Sequence, residues 1–130
     1  MNTPMSKGTI LLIDDDPDHL RIYGWIVEKA GFSPVPCLVA QGDVKLPADQ
    51  AVDLVVLDYT LNCGIPTPQI AQMVMATYPG VPIVLLSQVD GLPCDMEPYV
   101  SVFVRKGEPQ KLTEAVRNLL SSDSDFERNR

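Results

Sequence analysis

Three consecutive aspartates, Asp14, Asp15 and Asp16, end the apolar run in "ILLIDDDPDHL". Like charges side by side repel one another, and partial enclosure strips their hydration, so the stretch calls for a compensating cation. A further carboxylate, Asp58, closes a second apolar run, "AVDLVVLD". The hydroxyl of Ser87 closes a third, "VPIVLLS", and the amine of Lys106 a fourth, "YVSVFVRK". Oxygen-only ligands with no histidine or cysteine nearby favour a hard ion, and Mg²⁺ takes one or two carboxylates beside water and phosphate. An ammonium opposite such an ion creates a slot that attracts a multi-oxygen anion from two sides, with Ser87 donating one more hydrogen bond. A phosphoryl group suits that slot. Asp58 stands to receive it, because a carboxylate can act as nucleophile and form an aspartyl-phosphate, the metal offsetting repulsion between the incoming oxygens and the carboxylate.

That chemistry needs the four runs to end at one place. "GTILLID", "AVDLVVLD", "VPIVLLS" and "YVSVFVRK" are too uniformly apolar for a half-exposed strand and read as strands buried on both faces. "PVPCLVA" is a weaker strand because of its prolines. Between the strands lie amphipathic segments. In "DPDHLRIYGWIVEKAG", Asp16 suits the N-cap, Pro17 the first helical position and Gly31 the C-terminal cap. Leu20, Tyr23, Ile26, Val27 and Ala30 form its apolar face. "TPQIAQMVMATYPG" and "EPQKLTEAVRNLLSS" predict two more helices. A poor helical segment interrupted by Pro47 follows the second strand, and "DGLPCDMEPYV", with Pro93 and Pro98, predicts a helix that is short or missing.

Strands alternating with helices, and apolar on both faces, imply an α/β fold with a parallel sheet covered on both sides. Five such units fit the open flavodoxin-like arrangement, strand order 2-1-3-4-5, whose functional crevice lies beyond the carboxyl ends of the strands. Asp14, Asp15, Asp58, Ser87 and Lys106 all fall at such ends. The expected organisation is an N-terminal extension over residues 1–8, one domain over 9–120 and a flexible polar tail over 121–130, which reads equally as a terminus or the start of a linker.

Composition narrows the function. A net charge of −7 over 130 residues argues against nucleic-acid binding, which needs a basic face. The apolar runs are too short for membrane insertion, and "MNTPMSKG" has no signal-peptide core. Cys37, Cys63 and Cys94 are odd in number and lack C-x-x-C spacing, so they read as reduced thiols in a cytoplasmic protein.

In these motifs and their order the sequence resembles a response-regulator receiver domain of two-component signalling, from about Thr9 to Leu120. "ILLIDDDP" is similar to the family's acidic-pair strand, "DLVVLD" to its phosphoacceptor strand, "PIVLLS" to its hydroxyl strand and "VFVRK" to its lysine strand. The resemblance implies phosphorylation at Asp58, Mg²⁺ held by Asp14, Asp15, Asp58 and the backbone carbonyl of Thr60, and phosphoryl contacts from Ser87 and Lys106. It places Phe103 at the family's switch aromatic. It also implies a histidine kinase or phosphotransfer protein as donor and a downstream protein as target.

Three positions depart from the family. "DYTLNCG" replaces a Met-Pro pair after the phosphoacceptor, Gln88 replaces a small residue after Ser87, and Gly107 replaces a cis proline after Lys106. A cis bond before glycine would cost roughly 3 kcal/mol, so a trans bond is expected there. These departures keep open a degenerate receiver that binds partners without phosphorylation. A third reading takes "DDDPD" as the D-x-D motif of haloacid-dehalogenase-like phosphatases, with Asp14 as nucleophile and Asp16 as acid/base, but leaves Asp58 idle. Taken singly, Asp16 reads as a helix cap, Phe103 as core packing and His19 as an exposed residue near the start of the first helix.

Overall fold

The uniformly apolar runs become the interior of a sheet. A computed structural model describes residues 7–88 and 91–128 of the chain, with side chains through 120. Its five strands are β1 (Thr9–Asp14), β2 (Ser33–Leu38), β3 (Leu54–Asp58), β4 (Ile83–Ser87) and β5 (Val102–Arg105). They pair in parallel in the order β2-β1-β3-β4-β5, the order expected from the sequence. Every residue of β3 and β4 is buried. The prolines of "SPVPCL" are tolerated because β2 is an edge strand, where a missing N–H need not break a ladder on both sides.

Side chains alternate between the two faces of each strand. Ile10, Leu12, Leu54, Val56, Val84 and Leu86 point to a core shared with α1 (Pro17–Lys29) and α3 (Pro109–Arg128). Leu11, Ile13, Val55, Leu57, Ile83 and Leu85 point to the opposite core, capped by α2 (Thr67–Thr77). Asp16 is the N-cap of α1, its Oδ1 accepting the Asp18 N–H at 2.9 Å. Gly24, inside α1, packs towards Leu12 and Pro34, yet a Cβ there would meet the nearest atom at an ordinary 3.7 Å. Gly24→Ala is therefore expected to stabilise the protein by up to about 1 kcal/mol, seen as a raised urea midpoint with unchanged slope.

One expectation about helices meets a different outcome. Residues 39–53 contain no helix, only an isolated bridge between Ala40 and Asp43 and turns. Val44 and Leu46 reach the α2-side core from this loop, and Pro47 accepts the Tyr78 hydroxyl at 2.9 Å, so irregular chain covers the face a helix would occupy. Between β4 and β5 the helix is short, as Pro93 and Pro98 lead one to expect: a single 3₁₀ turn, Cys94–Met96, anchored by the fully buried Met96. The helical backbone of α3 continues to Arg128, and "SSDSDFER" contains neither proline nor glycine to stop it.

Candidate functional site

The parallel register sets the ends of the strands beside one another. Ile13 pairs with Leu57, Asp58 with Leu86, and Ser87 with Arg105, so Asp14, Asp58, Ser87 and Lys106 arrive at the carboxyl edge. The buried polar side chains among the described residues are Asp14, Asp58, Ser87 and Thr67. Thr67 opens α2, and its hydroxyl donates to the Tyr59 carbonyl at 2.6 Å, pinning the loop that leaves Asp58. Nothing in the sequence marked Thr67, because its partner lies across a loop whose path only the fold defines.

Asp58 is held at one oxygen. Lys106 Nζ lies 2.8 Å from Asp58 Oδ1, and the Thr60 N–H donates to the same Oδ1 at 3.1 Å. Both side chains are largely enclosed, so this is an ion pair in a low-dielectric setting. Lys106 is aimed without a cis bond: all described peptides are trans, and Gly107 turns the chain with φ +87°, a conformation that favours glycine. The Lys106 N–H donates to the Ser87 carbonyl at 2.8 Å, tying the two residues together by backbone.

Asp14 is the other buried carboxylate. Its Oδ1 accepts the Asp16 N–H at 3.0 Å, while Oδ2 has no hydrogen-bond partner. Burial, then the nearby Asp58 charge, push its pKa up to about 7; hydrogen bonding with Asp15 and Asp58 acts in the same direction. A carboxyl so placed needs either a proton or a cation. The donors within 4.8 Å of one another are Asp14, Asp58 and His19. Asp15 is half-exposed beside Asp14 and falls outside that group.

His19 is not the plain surface residue expected. Its Nδ1 faces Asp14 Oδ2 at 3.4 Å and its Nε2 faces Asp16 Oδ2 at 3.4 Å. The available signal was its spacing, one helical turn beyond the Asp16 cap. Phe103 is half-buried against the α2-side core, opposite Leu85. Gln88 is exposed beyond Ser87. A cavity of about 200 Å³ opens beside the site, with His19, Tyr23, Leu86, Lys106 and Leu112 among its walls.

No family model matches the sequence, and no curated protein matches it. Solved structures match the fold over nearly its whole length. A CheY-like response-regulator receiver domain protein from Methanospirillum hungatei has a TM-score of 0.78 at 18% identity, covering 92% of this chain and 98% of that one. A receiver protein from Sinorhizobium medicae gives 0.68 at 24% identity, covering 88% and 95%. The chemotaxis response regulator CheY4 of Vibrio cholerae gives 0.74 at 14% identity, covering 86% and 98%. The fold is that of a CheY-like receiver domain. At these identities the likeness is one of architecture, so the chemistry of the receiver edge is argued from its own side chains.

Proposed function

We propose that this receiver-like domain is a phosphoacceptor switch in the cytoplasm, taking a phosphoryl group on Asp58 from a histidine kinase or phosphotransfer protein. One observation carries the reading: a buried carboxylate, Asp58, lies between a lysine at 2.8 Å and a second buried carboxylate with an unsatisfied oxygen. The unsatisfied Asp14 Oδ2 fits a divalent cation, held by Asp14 and Asp58 with Asp15 and the Thr60 carbonyl at its margin. A bound Mg²⁺ supplies charge neutralisation between the carboxylates and the phosphoryl oxygens.

The residues divide the remaining work. Lys106 and the Thr60 N–H engage Asp58 Oδ1, so we assign Oδ2 as nucleophile. Oδ2 forms a bond to phosphorus as the P–N bond of the donor phosphohistidine breaks, and the departing imidazole nitrogen takes up a proton. Lys106 then transfers its ion pair to the phosphoryl oxygens, and Ser87 donates a hydrogen bond to them. Charged hydrogen bonds contribute roughly 1.5–3 kcal/mol each, and about 5.5 kcal/mol converts a mostly "off" population to a mostly "on" one. Phe103, half-buried against the α2-side core, is the aromatic placed to repack. The consequence is altered binding of a downstream protein.

Intact mass after incubation with acetyl phosphate and Mg²⁺ tests this. The wild-type chain is expected to gain one phosphate and Asp58→Asn none. A gain in both would move the reaction to another residue, such as Asp14 in the phosphatase reading. A gain in neither, under conditions that label a control receiver, would favour the phosphorylation-independent module.

A further inference from the structure

We propose that His19 is a third ligand of the cation site, beside Asp14 and Asp58, so that the site takes a divalent transition ion such as Zn²⁺ through one imidazole and two carboxylates. This rests on the reading of the edge as a cation site and is independent of whether Asp58 accepts phosphate.

Four observations converge. Ligand atoms of Asp14, His19 and Asp58 lie within 4.8 Å of one another. Asp14 is only 1% exposed, and its Oδ2 lacks a hydrogen-bond partner although carboxylate oxygens at that depth are normally satisfied. The His19 Nδ1 facing that oxygen is buried and also lacks one. Their separation of 3.4 Å is long for a hydrogen bond. It matches two donors on one ion, which at bond lengths of about 2.0–2.2 Å stand roughly 3.0–3.5 Å apart.

The far side of the ring carries the fourth observation. His19 Nε2 faces Asp16 Oδ2 at 3.4 Å. Metal-bound histidines commonly direct the second ring N–H at a carboxylate, which fixes the tautomer and raises the basicity of the ligating nitrogen. Asp16 is itself immobilised, because its other oxygen caps α1 through the Asp18 N–H. One carboxylate thus begins the helix and places its second oxygen beside the far side of the imidazole borne one turn later. Imidazole suits Zn²⁺, Cu²⁺, Fe²⁺ and Ni²⁺ better than Mg²⁺, which selects oxygen. The competing arrangement is a protonated His19 pairing with both carboxylates and excluding a metal from the ring.

His19 is the only histidine in the chain, so its ring nitrogens give unambiguous signals in a long-range ¹H–¹⁵N spectrum. The experiment titrates Zn²⁺, and separately Mg²⁺, into the unphosphorylated full chain carrying Cys94→Ser, which removes the exposed thiol. Saturable one-to-one binding is expected, with the Nδ1 resonance moving on Zn²⁺ addition while Nε2 remains protonated. His19→Gln is expected to weaken Zn²⁺ at least about tenfold and Mg²⁺ by less than about twofold, and Asp16→Asn to weaken Zn²⁺ about tenfold. An Nδ1 signal indifferent to Zn²⁺, an imidazolium signature throughout, or equal Zn²⁺ affinity for wild type and His19→Gln would overturn the proposal. Acetyl-phosphate labelling in Mg²⁺ with no Nδ1 response would retain the phosphoacceptor reading and discard this one; the reverse pattern would do the opposite.

Discussion

Lys106→Met is expected to destabilise the protein by about 3–5 kcal/mol in EDTA at neutral pH, the usual cost of removing one partner from a buried ion pair. Lys106 is 11% exposed and Asp58 2%, with 2.8 Å between their charged atoms, so water cannot replace the lost amine at Asp58. The orphaned carboxylate would also face Asp14, whose own oxygen lacks a partner. The cost should shrink when Asp58→Asn is combined with Lys106→Met, since the charge left behind has gone. Urea unfolding of the two single variants and the double variant reads the coupling directly. A loss below about 0.5 kcal/mol for Lys106→Met, with no coupling, would mean that the pair behaves as a solvated surface bridge.

The second large effect concerns Asp14 and reverses sign with metal. Its pKa rises to about 7 in the folded protein, from an ordinary value of 3.8, because burial and the Asp58 charge penalise the ionised form. The folded state therefore binds this proton more tightly than the unfolded chain. Its stabilising contribution is complete below about pH 4 and is lost as pH rises through about 7. At about 1.4 kcal/mol per pKa unit, the carboxylate costs the metal-free fold on the order of 4 kcal/mol by pH 8. Asp14→Asn should accordingly match wild type near pH 4 in EDTA and exceed its stability increasingly towards pH 8. Added Mg²⁺ should stabilise wild type, which offers it the ionised carboxylate, and do little for Asp14→Asn. A stability difference between the two that stays constant from pH 4 to pH 8 would refute this account.

Both predictions place a cost at one edge of an otherwise apolar sheet. Such costs recur at functional sites, where groups suited to a ligand are poorly satisfied without it. The cavity beside His19 and Lys106 gives that edge an opening to one side.

The sequence by itself determined the sheet and what it carries to its edge. The "LVVL" within "DLVVLD" is apolar at every position, which only a strand covered on both faces can use, and that requirement led to parallel pairing and a common carboxyl edge. Asp16, Pro17 and Gly31 likewise declared the limits of α1 through local backbone chemistry. Side chains acting across that edge were decided by tertiary structure. His19 looked like a surface residue because its buried partner Asp14, at the end of β1, comes within 3.4 Å only once α1 has packed against the sheet. Thr67 gains its role from a loop whose path no local pattern encodes. The loop over 39–53 takes the place of a helix because Val44 and Leu46 can reach the core without one. Pattern in the chain specifies which faces must be buried; distances between groups from different segments emerge only when those faces have met.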